Sequence, residues 1–213
     1  MSLLMGGSRR IHSAGTMAHD SRHIGAGGQS LPRIITIAGL KKSGKTTVAA
    51  ALIRELRARG FRVGSVKTIR HHPLSLDQSG ADTRRHAEAG AEFTVTILDG
   101  ELAYFEPRAS RPGLCDAARL FPPGVDFVIW EGMADPEAGG GQVVCVRRMS
   151  ELEQTLAERK VDRRSIIAIS GVAAGAVKAA DSPADFRVLD ATQPADRAAL
   201  ADLVLQWFRD GRG

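Results

Sequence analysis

The chain has 213 residues, 43% hydrophobic and 25% charged, the composition of an ordinary globular protein with room for one α/β domain and a sizeable core. It holds no apolar run of about 18 residues, which excludes a membrane-spanning helix. The net charge of +5 raises the question of nucleic acid. However, Arg9, Arg10, Arg22 and Arg33 against Asp20 put much of that excess in the first 33 residues, and no basic run interleaved with aromatics follows, so nucleic acid is not expected as a partner.

Residues 1–31 are rich in Gly, Ser, His and Arg without a sustained period and read as a disordered N-terminal tail, with His12, His19 and His23 solvated. Residues 32–213 then form one domain. Arg33 to Ala38 is apolar on both faces, as a central parallel strand is. Directly after it comes Gly39-Leu40-Lys41-Lys42-Ser43-Gly44-Lys45-Thr46-Thr47, which fits the phosphate-binding loop G-x-x-x-x-G-K-[ST] between a strand and a helix. Gly39 and Gly44 let main-chain amides approach a phosphate chain, with Lys42, Ser43 and Thr47 completing the loop. The helix N-terminus adds free donors, Lys45 supplies a mobile point charge, and the Thr46 hydroxyl is placed to ligate Mg²⁺.

Val48 to Arg59 has a helical period, with Arg54, Glu55, Arg57 and Arg59 outward, and Gly60 terminates it. Phe61 to Val66 completes a right-handed βαβ unit. The polar stretch that follows contains Lys67, His71, His72 and Asp77 and starts at the carboxyl end of a parallel strand, where ligand sites lie in doubly wound folds. Lys67 suits an anionic substrate or a phosphate. Asp77 suits Mg²⁺, directly or through water, and His71 and His72 suit an anion or a proton relay. A solvated surface loop is the plainer reading of the two histidines.

After a helix over Asp82 to Ala89, Glu92 to Leu98 and Glu101 to Phe105 flank Asp99-Gly100, predicting a hairpin that adds an antiparallel element to the sheet. A short helix is expected over Cys115 to Leu120. Val125 to Trp130 is a second buried strand and runs into Glu131-Gly132; an acidic residue at that end can organise Mg²⁺, or it can simply mark the strand's end. The glycine-rich stretch from Ala134 to Gln142 reads either as a lid or as a connector. Further on come a strand at Val143 to Val146, a helix at Ser150 to Arg159 with a Ser150–Glu153 capping box, and a strand at Ser165 to Ser170. A last strand is expected at Phe186 to Leu189 and a closing helix at Asp196 to Arg209. Cys115 and Cys145, thirty positions apart, read as buried reduced thiols in a cytoplasmic protein. Strands alternating with helices around this loop predict an α/β three-layer P-loop NTPase fold with a mostly parallel sheet and an added β-hairpin.

The loop Gly39 to Thr47, the turn Arg59-Gly60-Phe61-Arg62-Val63-Gly64, Lys67 ahead of His71-His72, Asp77 with Gly80-Ala81-Asp82-Thr83, Ala87 to Ala91, and the strand Asp126 to Gly132 stand in the order of one family. The chain resembles the molybdopterin-guanine dinucleotide biosynthesis protein B family, MobB, over about residues 33–147. The resemblance implies a dimeric GTP-binding protein, at most a slow GTPase, that assists a partner nucleotidyltransferase in attaching a nucleotide to molybdopterin, with Mg²⁺ as cofactor. By the same resemblance Lys45 and Thr46 match the phosphate and metal positions, Glu131 the carboxylate after the later strand, and Asp77 the acidic residue between; Lys45, Lys67 and Asp77 carry whatever catalysis occurs. Leu40 stands where related dimeric ATPases place a signature lysine, and no Asn-Lys-x-Asp motif is present, so guanine preference is implied by resemblance alone. Two alternatives remain open from the residues: a small-molecule kinase or ATP-dependent ligase of the dethiobiotin synthetase-like class, and a nucleotide-dependent adaptor without chemistry of its own.

Overall fold

The computed structural model describes residues 32–69, 81–108, 112–132, 140–176 and 183–212. Its first strand, β1 (Arg33–Gly39), is central because both of its faces are apolar. Ile35 and Ile37 point into one core cluster, while Ile34 and Ala38 meet different neighbours on the other side, all of them buried. Four more strands align parallel with it: β2 (Val63–Lys67), β5 (Phe127–Glu131), β6 (Gly141–Cys145) and β7 (Ile166–Ser170), in the order β2-β5-β1-β6-β7. A sheet with parallel neighbours throughout needs cover on both faces, and it has it.

On one face lie helices α1 (Lys45–Ala58) and α5 (Pro194–Arg209), where Val48, Leu52 and Leu56 meet Leu200, Ala201 and Val204 over Ile35, Ile37 and Ile129. Polar contacts fix the pair at the far end of α1. Arg59 donates to Glu55 at 3.1 Å, to Asp202 at 2.6 Å and to the Ala198 carbonyl at 2.9 Å. Glu55 and Arg59, expected to face outward, are thus half-buried between two helices. On the other face α4 (Leu152–Arg159) sets Leu152 and Leu156 against Ala38, Val144 and Ile169. Beside it Phe121, beyond the short helix α3 (Leu114–Ala118), packs with Ile34, Val128 and Trp130. The three layers of the expected α/β fold are present.

Three local expectations differ. The hairpin β3 (Thr94–Leu98) and β4 (Glu101–Phe105) forms around Asp99-Gly100, following α2 (Ala81–Glu88), but as a two-stranded sheet of its own and not as an addition to the large one. Its residues alternate between half-buried and exposed, unlike the continuously buried strands of the main sheet. Phe186 to Leu189 is not a full strand: one parallel bridge joins Val188 to Ile169, and Asp190 then turns the chain by accepting from the Thr192 amide at 3.0 Å. The Ser150–Glu153 capping box does not form. A 3₁₀ turn over Met149–Glu151 delays α4 to Leu152, and the Glu153 carboxylate accepts from Arg163 at 2.7 Å instead. The expected tail, residues 1–31, and the lid or connector, nearly all of it, lie outside the described residues.

Candidate functional site

The parallel register brings three strand ends to one edge. Glu131 pairs with Ile37 of β1 on one side and with Lys67 of β2 on the other. β1 then ends at Gly39 and the chain crosses Leu40 to Gly44 into α1. Gly44 is the N-cap of α1 at φ 89° and ψ 10°, a left-handed conformation that a Cβ would disfavour. No side chain caps that terminus, and the first turn carries no acidic residue. The first intrahelical bond of the turn runs from the Val48 amide to the Gly44 carbonyl at 3.0 Å. The amides of Lys45, Thr46 and Thr47 precede it and have no intrahelical acceptor, so the positive end of the helix points at this edge. Lys42 also has positive φ, 61°, and is exposed, while Ser43 is fully buried with a hydroxyl that finds no partner.

Four side chains converge over this terminus. Thr46 Oγ1 donates to Glu131 Oε1 at 2.7 Å across 85 positions of sequence. Glu131 Oε2 faces Lys67 Nζ at 3.5 Å; the glutamate is 14% exposed and the lysine 56%. Lys45 folds back so that Nζ donates to the Leu40 carbonyl at 2.6 Å. Burial holds the Lys45 pKa below the usual lysine value, and the positive charge of Arg159 pushes the same way, opposed by the carboxylate of Glu131. The Glu131 backbone is itself pinned: Thr68 donates its amide to the Glu131 carbonyl at 2.9 Å, and the Thr68 hydroxyl accepts from Trp130 Nε1 at 2.7 Å.

A second layer under the loop was not legible as such in the sequence. Gly171, just past β7, lies at φ +94° against the phosphate loop, and a Cβ there would collide with the Ser43 carbonyl oxygen. The next residue, Val172, donates its amide to that same oxygen at 3.2 Å. Cys145 closes the floor: it is fully buried, and burial pushes its thiol up to about 12. It therefore stays neutral and serves as packing, as expected of a buried reduced thiol. The signal that could have marked this brace is Ser170-Gly171 at the end of an apolar strand, a position equivalent to the ends of β1 and β5.

Among the described residues no group of three or more His, Cys, Asp and Glu could hold a metal ion. A hydroxyl–carboxylate pair such as Thr46–Glu131, beside uncapped amides, suits a hard cation that takes its remaining oxygens from phosphate and water, as Mg²⁺ does. The residues present fit a Mg²⁺–phosphate ligand. Asp77, His71 and His72 lie outside the described residues, whereas Lys67, Glu131, Lys45 and Thr46 are brought together. Glu131→Gln is expected to raise the Mg²⁺ concentration needed for nucleotide binding about tenfold or more, with nucleotide affinity in the absence of metal nearly unchanged. Titrating Mg²⁺ at fixed nucleotide checks this, and equal movement of the two constants would make Glu131 a structural residue.

The family model described as molybdopterin guanine dinucleotide synthesis protein B matches residues 34–171. The chain is 27% identical over 191 residues to the molybdopterin-guanine dinucleotide biosynthesis adapter protein of Escherichia coli, covering 87% of this chain and 99% of that one. It is 30% identical over 105 residues to a putative adapter protein of the same description from Methanocaldococcus jannaschii, covering 48% of this chain and 42% of the relative's length. In fold it is similar to the crystal structure of Bacillus subtilis MobB, with a TM-score of 0.58 at 20% identity over 81% of this chain and 98% of that one.

Proposed function

This chain belongs to the MobB family, and from that premise we propose that it binds Mg²⁺–GTP at the loop Gly39 to Thr47 and assists a partner nucleotidyltransferase in attaching a nucleotide to molybdopterin. The observation that carries the nucleotide reading is the 2.7 Å hydrogen bond from Thr46 to Glu131, made across the mouth of an uncapped helix N-terminus. Gly39, Lys42, Ser43, Gly44, Lys45, Thr46 and Thr47 enclose the phosphates. Thr46 and Glu131, with Asp77 as a further carboxylate, would hold the metal, and Lys45 would exchange the Leu40 carbonyl for the terminal phosphates. Mg²⁺ supplies neutralisation of the phosphate charge as it builds. Lys67, with His71 and His72, holds the γ-phosphate or the anionic group of the pterin. Guanine and pterin specificity rest on family membership.

Hydrolysis is slow in this reading, so the protein acts chiefly as an adapter in the cytoplasm and works as a homodimer. The exposed side of the hairpin, where Val95, Ile97, Leu102 and Tyr104 stand in cross-strand register, supports a covered surface there. Lys67, more than half exposed at the metal-facing edge, keeps a small-molecule kinase as the second reading. Competitive binding of GTP, ATP and CTP with Mg²⁺, followed by turnover with and without the nucleotidyltransferase, tests both. GTP preference with turnover only in the presence of the transferase is the expected result; rapid phosphoryl transfer to a small acceptor by this chain alone would overturn it.

A further inference from the structure

Trp130 is the last apolar residue of β5, directly before Glu131. Successive side chains of a strand point to opposite faces. Glu131 faces α1, where it meets Thr46, and Trp130 faces the other layer, buried with Ile34 and Val128 against Val66 and Phe121. An aliphatic side chain there would carry no polar atom into the core. An indole brings an N–H that loses its water on burial and needs an acceptor. It finds one in the Thr68 hydroxyl, at 2.7 Å.

Thr68 is the first residue past β2 and follows Lys67. Among the described residues β2 is the outermost strand of the five-stranded sheet and pairs only with β5. The end of such a strand opens easily unless something holds it. Here the Thr68 amide donates to the Glu131 carbonyl at 2.9 Å, and the Trp130 indole donates to the Thr68 hydroxyl from the layer opposite α1. Gly132 packs so closely that a Cβ on it would stand 2.9 Å from the Thr68 carbonyl oxygen, and its amide donates to the Ile37 carbonyl at 3.2 Å. The backbone that carries the Glu131 carboxylate is thus clamped between the ends of β2 and β1, and the indole–hydroxyl bond is a side-chain link in that clamp.

We propose that Trp130 and Thr68 are a positioning pair for the metal-binding carboxylate. Their bond fastens the carboxyl end of β2 to β5. It thereby keeps the Lys67 ammonium 3.5 Å from Glu131 Oε2, and Glu131 Oε1 in reach of the Thr46 hydroxyl. The pair acts through the backbone of Glu131 and Lys67 and is not among the groups that meet the ligand. Mg²⁺ demands near-ideal octahedral geometry, so a carboxylate that drifts with a loosened strand end binds it less well. The inference deepens the Mg²⁺–nucleotide reading given above and rests on it.

The test measures GTP binding by the full chain across a Mg²⁺ titration and again in a chelator. Thr68→Val removes the hydroxyl and keeps the shape, Thr68→Ser keeps the hydroxyl, and Trp130→Phe keeps an aromatic ring and removes the donor. Thr68→Val and Trp130→Phe are each expected to raise the Mg²⁺ needed for half-maximal binding about fivefold, with metal-free affinity within about twofold of wild type. Thr68→Ser restores most of the wild-type requirement. The double variant Thr68→Val with Trp130→Phe needs no more Mg²⁺ than the worse single variant, as expected for two ends of one bond. An unchanged Mg²⁺ requirement, an equal loss with and without metal, a Thr68→Ser that behaves like Thr68→Val, or single effects that multiply in the double variant would each overturn the proposal. If Thr68→Val fails to fold, Trp130→Phe decides alone by the same comparison. Wild-type GTP binding that is indifferent to Mg²⁺ overturns the metal reading itself and this proposal with it, whereas a Mg²⁺ requirement untouched by the variants overturns this proposal only.

Discussion

Lys45→Ala is expected to weaken nucleoside triphosphate binding by about 100-fold, equivalent to about 2.7 kcal/mol, while the protein stays folded. Nζ makes one hydrogen bond within the chain, to the Leu40 carbonyl, a neighbour in the same loop. Losing it leaves one carbonyl, that of the buried Leu40, without its side-chain donor, next to the exposed Lys41 and Lys42. The buried side chains of α1 that do hold the fold, Val48, Leu52 and Leu56, are untouched. The cost therefore falls on the ligand and hardly on the fold. Equilibrium binding by calorimetry, with a thermal melt of the same sample, checks both halves. Retained affinity at an unchanged melting point would show that the loop is not where nucleotide binds.

The second large effect is expected at a position with no reactive group. Gly171→Ala places a Cβ at φ +94° and drives it into the Ser43 carbonyl oxygen, a backbone atom that cannot rotate away. Cys145 Cβ and the Val146 amide stand 3.1 Å from the same point, so there is no free direction for relief. The expected loss is about 3 kcal/mol of stability, a fall of roughly 6–12 °C in melting temperature for a chain of this size. Because Ser43 must shift, triphosphate affinity falls in whatever fraction remains folded. A variant with wild-type melting temperature and wild-type affinity would mean that the loop and the β7 turn do not brace one another.

The contrast between these two positions shows what could be read from residue order. Lys45 and Thr46 were legible because the chemistry of the loop is local: strand, two glycines, lysine, hydroxyl, helix. Glu131 was legible at one remove, since an apolar strand of the right length ending in a carboxylate carries it to the edge that a parallel sheet must share. Gly171 was not. Its importance depends on the order of the strands across the sheet, which sets the end of β7 against the loop and does not follow from local period. The errors of the sequence reading have a similar origin. The hairpin turn was recognisable from Asp99-Gly100, but whether two short strands join a larger sheet depends on the edge available to them. Ser150 and Glu153 have the spacing of a capping box, yet Arg163, from beyond the helix, takes the glutamate.

Helix α5 sets a limit on how this molecule can be divided. All the motif chemistry lies before residue 147, and a fragment ending there would keep the phosphate loop, Lys67 and Glu131. It would lose Leu200, Val204 and Trp207, which together bury roughly 5–9 kcal/mol of apolar transfer energy, a sum comparable to the whole stability of a typical domain. It would also lose Asp202 and the Ala198 carbonyl, which hold Arg59 at the end of α1. The smallest piece bearing every reactive group is thus not a piece that can stand alone, and transplanting this chemistry onto another scaffold would mean carrying the last helix with it.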